Sequence, residues 1–179
     1  ISNQVKSAYQ IAADADTAGP FLHRLMHAVF FTNKRVVQET SFRDGAASVS
    51  YAAVELANEL GTTFINPKIL VLGLGEMGTD VVKTLKSSDI KDITISNRTE
   101  SKAIILAQEL GVKHLSFNRT LSEFKNYDLI ISGLSVKQPY LTSSHISNKD
   151  VPALKYFIDL GIPSSIEMDI ENIPGVGLF

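Results

Sequence analysis

The stretch that decides the fold of this chain is Lys68-Ile69-Leu70-Val71-Leu72-Gly73-Leu74-Gly75-Glu76-Met77-Gly78. A short run of Ile, Leu and Val opens into Gly-x-Gly-x-x-Gly and then into a helical pattern, which predicts a β-strand, a tight turn and a helix. Such a turn receives the pyrophosphate of a dinucleotide, because the N–H groups of the helix N-terminus point at the phosphates. We therefore predict a dinucleotide site that includes Gly73, Leu74, Gly75, Glu76, Met77 and Gly78.

The three glycines of this motif have different predicted roles. Gly73 permits the sharp turn, Gly75 lets the backbone approach the phosphates without a Cβ in the way, and Gly78 allows the helix to pack closely on the strand. A glycine motif alone is weak evidence for a nucleotide site. The end of the next predicted strand supplies the second part of the signal.

That second part is Ser96-Asn97-Arg98-Thr99, about 20 residues downstream, where NAD-binding chains usually carry Asp or Glu for the ribose hydroxyls. A carboxylate would repel a 2′-phosphate, whereas Arg98 can form charge-assisted hydrogen bonds with it. The hydroxyls of Ser96 and Thr99 can donate to the remaining phosphate oxygens. We therefore predict NADPH as the cofactor, bound by Ser96, Asn97, Arg98 and Thr99. The alternative is that Arg98 is a solvated residue at the start of a helix.

Composition and charge exclude several classes of protein. The 179 residues include 17 Lys and Arg against 19 Asp and Glu, a formal net charge of −2, so no global charge points to a polyanionic partner. No apolar run approaches the ~20 residues that span a bilayer, and we expect a cytoplasmic protein with no membrane partner. Cysteine is absent, which excludes disulfides, thiolate metal sites and a cysteine nucleophile within this chain.

The chain before the glycine motif is predicted to be helical. One helix covers Gln4–Ala15, and a longer one is entered at Pro20, a residue suited to the first helical position. Residues 40–45 are predicted to form a linker. Ser48 or Ser50 then caps a third helix.

Beyond residue 67 the predicted strands and helices alternate. This pattern is typical of a doubly wound parallel sheet, an α/β fold of the Rossmann type. The later strands are near-continuous apolar runs, as expected where helices cover both faces of the sheet. The predicted strands are 68–72, 92–96, 112–117, 128–132 and 154–160, and the predicted helices are 76–85, 100–110 and 121–124.

The nicotinamide end of a dinucleotide lies beyond the carboxyl ends of the strands, at the topological switch point. Ser132 ends a predicted strand, and Gly133 and Leu134 follow it. We therefore expect these three residues to line the ribose and nicotinamide. The alternative is an ordinary strand-end turn. Asp159 lies near the end of another predicted strand, and it either has a catalytic role, or accepts backbone hydrogen bonds, or shapes the cofactor pocket.

Two histidines resemble a metal pair. His23 and His27 are four residues apart and would share one helix face. No third ligand with suitable spacing is evident, so we interpret them as ordinary histidines and predict no metal site.

The chain resembles the glutamyl-tRNA reductases from end to end. The similar segments are Gln4-Val5-Lys6, Lys34-Arg35-Val36-Val37-Gln38-Glu39-Thr40, the run from Gly45 to Ala57, Gly75-Glu76-Met77-Gly78, Asn97-Arg98-Thr99, Ile158-Asp159-Leu160-Gly161-Ile162-Pro163 and Pro174-Gly175-Val176. The sequence departs from the family at Ser2-Asn3, where Leu-Gly is usual, and at Leu74, where Ala is usual.

This resemblance implies an NADPH-dependent oxidoreductase that acts on an acyl group. Members of the family reduce glutamyl-tRNA(Glu), through a cysteine thioester, to glutamate-1-semialdehyde in tetrapyrrole biosynthesis, the route to porphyrins and heme. The family's cysteine and catalytic histidine would precede Ile1, so we expect a fragment that is inactive alone. Residues 1–44 would be the last helices of a truncated catalytic domain, and residues 45–179 the NADP-binding domain.

The resemblance also implies contacts outside the cofactor site. Gln4 would contact the glutamate moiety of the substrate, the alternative being an exposed glutamine at a helix start. The full-length enzyme would form a homodimer through a C-terminal domain that follows Phe179.

Two other functions remain open at this point. The first is another NADP-dependent dehydrogenase of the shikimate dehydrogenase type, whose second strand can also end in Asn-Arg-Thr. The second is a non-catalytic nucleotide-binding module, which fold alone does not exclude. The helical segment before Gly73 and the segment Ile158–Pro163 favour the reductase.

Overall fold

The computed structural model describes residues 2–39, 48–88, 90–146 and 154–179. The chain divides into two compact units, Ile1–Ala47 and Ser48–Phe179. The predicted linker at 40–45, and with it the predicted boundary between residues 44 and 45, lies outside the described residues.

The first unit is a pair of helices, α1 (Ser2–Asp14) and α2 (Pro20–Glu39), as the sequence predicts. Tyr9 joins them: its hydroxyl lies 2.6 Å from Nδ1 of His23, and its ring packs edge-on against Phe30 with centroids 5.9 Å apart. Large apolar side chains of α2, such as Phe21 and Phe31, stay exposed.

The second unit is a parallel sheet with helices on both faces. Its helices are α3 (Val49–Gly61), α4 (Glu76–Lys86), α5 (Glu100–Leu110) and the single turn α6 (Thr120–Glu123). Its strands are β1 (Lys68–Leu72), β2 (Asp92–Ser96), β3 (Lys113–His114), β4 (Leu129–Ser132), β5 (Lys155–Asp159) and β6 (Val176–Leu178). Short 3₁₀ turns lie at 117–119, 124–126, 143–145 and 168–172.

The strand order is β3-β2-β1-β4-β5-β6, with every pairing parallel. From β1 the chain first adds β2 and β3 on one side of the sheet, and then adds β4, β5 and β6 on the other side. This order confirms the predicted doubly wound fold, with its topological switch point between β1 and β4. Leu72 pairs with Ser96 on one side and with Ser132 on the other, so these three residues mark the carboxyl edge of the central strands.

Two details differ from the predicted strands. The predicted strand at 112–117 is reduced to Lys113–His114, because the chain turns into a 3₁₀ helix at Phe117. β6 was not predicted, since it has only three residues and Gly177 at its centre; its pairing with β5 makes it a strand.

Hydrophobic cores cover both faces of the sheet. The core on one face lies between the sheet and helices α3, α4 and α5, and it includes Ile69, Val71, Val81, Ile93, Ile95 and Leu106. The core on the opposite face includes Leu70, Leu72, Phe124, Ile130, Phe157 and Ile170. Burial on both faces explains the near-continuous apolar runs, because neither set of alternating side chains faces water.

Of the two candidate caps for α3, the structure selects Ser48. Its side chain accepts a hydrogen bond from the backbone N–H of Tyr51 at 3.2 Å. Ser50 is buried instead, and its hydroxyl donates to the carbonyl oxygen of Met77 at 3.3 Å. That bond ties α3 to the first turn of α4.

Candidate dinucleotide site

The turn between β1 and α4 is built from backbones in close contact. Gly73 has φ +84°, in the left-handed region that favours glycine, and a Cβ there would lie 2.8 Å from the carbonyl oxygen of Gly133. A Cβ on Gly78 would lie only 1.9 Å from the carbonyl oxygen of Gly73. The absence of side chains at these positions therefore lets strand, turn and helix approach each other.

Gly75 differs from its two neighbours in the motif. It is the N-cap of α4, its φ of −68° is available to any residue, and a Cβ there would meet no atom within 4 Å. Neither backbone conformation nor packing within the protein requires glycine here. Among the described residues no side chain caps α4, so the N-terminus of the helix faces open space with its partial positive charge.

Asn97 connects the end of β2 to the glycine turn. Its Oδ1 accepts a hydrogen bond from the backbone N–H of Leu74 at 3.0 Å, and its Nδ2 donates to the carbonyl oxygen of Thr99 at 3.0 Å. The backbone N–H of Gly73 also donates to the carbonyl oxygen of Ser96, at 2.9 Å. The predicted ligand Asn97 thus has its carboxamide occupied by two backbone groups.

Arg98 and Thr99 are both exposed at the carboxyl edge of the sheet. The Arg98 guanidinium donates to the carbonyl oxygen of Ser135 at 3.2 Å, which links the end of β2 to the loop after β4. Within the described part of the chain, Arg98 has no acidic side chain at ion-pair distance. Thr99 is the N-cap of α5 and its hydroxyl makes no capping bond.

Three predicted site residues have buried side chains. Ser96 and Ser132 have no exposed surface, and Leu134 belongs to the hydrophobic core. The Ser96 hydroxyl has no hydrogen-bond partner among the described residues, whereas the Ser132 hydroxyl lies 2.6 Å from that of Ser165. The side chains at these positions therefore face the interior rather than the open edge.

The remaining predicted residues are on the surface. Glu76 and Met77 lie exposed in the first turn of α4, where the carboxylate of Glu76 is favoured by the helix dipole. Gly133 lies against Gly73 and Gly78 in the glycine turn. Gln4 is exposed on α1, in the other unit.

A hydrogen-bond network follows β5, and only its acceptor, Asp159, was singled out from the sequence. The Asp159 carboxylate accepts from the backbone N–H groups of Gly161, Ser165 and Ile166 at 3.0, 2.7 and 2.9 Å, and from the Ser165 hydroxyl at 2.8 Å. Of the interpretations of Asp159, acceptance of backbone hydrogen bonds is the one observed. The position of Asp159 at a strand end was a usable signal, but nothing in the sequence marked Ser165.

The described segments hold neither a metal-binding cluster nor a membrane-spanning helix. His23 contacts the Tyr9 hydroxyl, and no group of three or more His, Cys, Asp or Glu side chains in those segments could hold a metal ion. None of their helices combines the length and apolarity needed to cross a bilayer.

Two family models match the chain. The model described as shikimate / quinate 5-dehydrogenase matches residues 55–179, and the model of the glutamyl-tRNA(Glu) reductase N-terminal domain matches residues 1–40. The first covers the second unit almost entirely, from α3 to the end of β6.

Individual glutamyl-tRNA reductases are also similar to this chain. The glutamyl-tRNA reductase of Cytophaga hutchinsonii is 50% identical over 98% of this chain, which spans 42% of that protein's length. The solved glutamyl-tRNA reductase of Methanopyrus kandleri has 28% identity and a TM-score of 0.66, with 99% of this chain and 45% of that chain covered.

A third match concerns the fold alone. The nucleotide-binding domain of glutamyl-tRNA reductase from Thermoplasma volcanium has 24% identity and a TM-score of 0.56, and covers 73% of this chain and 85% of that one. The predicted resemblance is confirmed by these matches together. Residues 55–179 thus belong to the shikimate / quinate 5-dehydrogenase family, and the chain as a whole is similar to the glutamyl-tRNA reductases over nearly its full length.

Proposed function

We propose that this chain binds NADPH, and that its parent protein is a cytoplasmic enzyme that reduces glutamyl-tRNA(Glu) to glutamate-1-semialdehyde in tetrapyrrole biosynthesis. The proposal rests on one observation, that an open space at Gly75 and an exposed cation at Arg98 occur in the same candidate site. Gly75 leaves open space at the N-terminus of α4, and Arg98 stands exposed, without an acidic partner among the described residues, at the end of β2.

The cofactor proposal follows from the chemistry of these groups. The first turn of α4 offers backbone N–H groups to the pyrophosphate, and Gly75 has no Cβ to obstruct it. Arg98 and the Thr99 hydroxyl would hold the 2′-phosphate, since guanidinium pairs favourably with phosphate oxygens. The end of β2 carries no carboxylate that would repel that phosphate. The dehydrogenase family of residues 55–179 supports a nicotinamide cofactor in general.

The chemical role of this chain is to bind and orient the hydride donor. It contains no cysteine, so it cannot form the proposed thioester itself. When bound, the reduced nicotinamide supplies the hydride that takes a thioester to the aldehyde level. The glycine turn and Arg98 would hold the adenosine half, and the loops after β4 and β5 would face the nicotinamide half.

Domain roles and partners are part of the same proposal. We assign residues 1–44 to the end of a catalytic domain and residues 45–179 to the NADP-binding domain. Exposed Gln4 would contact the glutamyl group of the substrate. The parent protein would use glutamyl-tRNA as substrate and form a homodimer through its C-terminal part.

A calorimetric titration of this chain with NADPH, and separately with NADH, tests the cofactor proposal. We expect NADPH to bind more tightly, because only NADPH carries the 2′-phosphate. Equal binding of the two nucleotides would contradict the assignment of NADPH, and binding of neither would contradict a dinucleotide site in this chain.

A shikimate-type dehydrogenase is the second candidate, and the family match of residues 55–179 favours it. The match of residues 1–40 to a reductase domain favours the first candidate instead. Assays of the full-length protein separate the two. We expect glutamyl-tRNA-dependent oxidation of NADPH and no NADP⁺-dependent oxidation of shikimate; a non-catalytic module would show neither activity.

A further inference from the structure

The loop after β5 is held rigidly by the carboxylate of Asp159. An ionised carboxylate only accepts hydrogen bonds, and here four donors converge on it. Oδ1 accepts from the Gly161 N–H and the Ser165 hydroxyl, and Oδ2 from the N–H groups of Ser165 and Ile166. These bonds anchor the two ends of the loop, at residue 161 and at residues 165 and 166.

The same network reaches into the sheet through two buried hydroxyls. Because Ser165 gives its single hydroxyl proton to Asp159, it must accept from Ser132, whose hydroxyl lies 2.6 Å away. Both serines have no exposed surface. A directed chain from Ser132 through Ser165 to Asp159 therefore anchors the loop to the end of β4.

The loop after β5 also packs against the loop after β4. The backbone N–H of Leu160 donates to the carbonyl oxygen of Ser132 at 2.8 Å. A Cβ on Gly161 would lie 2.9 Å from the carbonyl oxygen of Leu134. The two loops thus form one continuous surface at the carboxyl edge. The loop after β4 also contains Ser135, whose carbonyl oxygen accepts a hydrogen bond from Arg98.

Ile162 projects from this anchored surface. Ile162 is 95% exposed, although Gly161 before it and Ser165 three residues after it are hydrogen-bonded to Asp159. A single exposed isoleucine is ordinary on a protein surface. This one lies between residues that Asp159 anchors, and it lies in the half of a doubly wound fold that receives the second nucleotide.

We propose that Ile162 is the apolar contact for the nicotinamide ring, and that Asp159, Ser165 and Ser132 are positioning residues that hold it there. This inference rests on the proposed NADPH binding. The reduced nicotinamide is a flat, uncharged ring, whereas the oxidised ring carries a positive charge. An apolar contact favours the uncharged form, because a charge loses hydration there. Ile162 therefore favours NADPH over NADP⁺.

The test compares three ligands on this chain: NADPH, NADP⁺ and adenosine 2′,5′-bisphosphate, which contains the adenosine half alone. For Ile162→Ser we expect the NADPH affinity to fall about 3- to 10-fold, with a smaller loss for NADP⁺. Binding of the bisphosphate should not change. Ile162→Leu should restore NADPH binding, since it restores apolar surface of equal volume.

Ile65→Ser is the matched control. Ile65 is 96% exposed but precedes β1, at the amino edge of the sheet. All three affinities should stay at the wild-type value in this variant. Ser132→Ala tests the anchor: it should weaken NADPH without weakening the bisphosphate, a split that a general loss of stability would not produce.

The outcomes separate the inference from the proposed function. If the wild-type chain binds neither NADPH nor the bisphosphate, the proposed cofactor site is wrong. If the wild type binds both and Ile162→Ser binds NADPH equally well, the role of Ile162 is overturned and the cofactor site stands. An equal loss for all three ligands would also overturn it, because Ile162 would then support the fold rather than the ring.

Discussion

The side-chain oxygen of Asn97 accepts a hydrogen bond from the backbone N–H of Leu74 at 3.0 Å, which ties the end of β2 to the glycine turn after β1. The amide nitrogen of the same side chain donates to the carbonyl oxygen of Thr99. Asn97 therefore braces two segments that both belong to the candidate cofactor site. Its effect on the nucleotide is expected to be indirect.

Two substitutions of Asn97 should act differently. Asn97→Ala removes both hydrogen bonds, and we expect the free energy of unfolding to fall by about 1–3 kcal/mol, with weaker binding of NADPH and NADH alike. Asn97→Asp keeps the acceptor for Leu74 but adds a negative charge near the 2′-phosphate. It should weaken NADPH more than NADH. Chemical denaturation and calorimetry measure both effects, and a loss confined to NADPH in Asn97→Ala would contradict the bracing role.

Gly78 and Gly75 form a matched pair of glycines in one motif. Gly78→Ala would place a methyl group 1.9 Å from the carbonyl oxygen of Gly73, so α4 must shift, and we expect a loss of stability of about 1–3 kcal/mol or more. Gly75→Ala meets no atom within 4 Å and should leave stability within about 1 kcal/mol of wild type. It should nevertheless weaken NADPH, because the methyl group occupies the approach to the phosphates.

Thermal or chemical denaturation and nucleotide titration of both glycine variants check this contrast. Unchanged NADPH affinity in Gly75→Ala would mean that the open space at the α4 N-terminus is not the phosphate site.

Glu167 gives a prediction for pH. Hydrogen bonds from the backbone N–H and the hydroxyl of Ser143, at 2.7 and 2.8 Å, lower the pKa of the Glu167 carboxyl below its ordinary value. A pKa that is lower in the folded than in the unfolded state stabilises the fold above the unfolded pKa, and that contribution disappears as the pH falls through the folded pKa. Glu167→Gln should therefore be less stable than wild type at neutral pH, with the difference closing in acid.

Denaturation of wild type and Glu167→Gln across a pH series measures this closure. A difference in stability that stays constant from neutral to acidic pH would show that ionisation of Glu167 does not contribute.

The fold was predictable because its signals are local. The glycine motif specifies a strand, a turn and a helix within eleven residues, and the alternation of apolar runs with helical patterns specifies parallel strands. β6 was not predicted, because it forms only by pairing with β5, which lies elsewhere in the chain. β3 is likewise shorter than predicted. The chain turns into a 3₁₀ helix at Phe117, whose ring stacks on the distant Tyr140.

The candidate site was predictable only in part. Phosphate binding at Gly75 and Arg98 stays a prediction; the structure shows that packing does not require glycine at position 75 and that Arg98 is exposed. Ser96 and Ser132 have the right chemistry and position, yet they lie on central strands covered on both faces, and their side chains are buried. The network of Asp159 with Ser132 and Ser165 joins residues far apart in the chain, so only the structure brings it together.

We propose that Arg98 recognises the 2′-phosphate of NADPH, and titration of Arg98→Ala with NADPH and NADH tests this role. We predict a loss of about 1.5–3 kcal/mol in NADPH binding, roughly 10- to 150-fold in affinity, with little change for NADH. Lys83→Ala is the matched control, because it also removes one positive charge but does so in the last turn of α4. This variant should bind both nucleotides like wild type. Equal losses for NADPH and NADH in Arg98→Ala would contradict recognition of the 2′-phosphate, because Arg98 would then support the fold or the shared part of the dinucleotide.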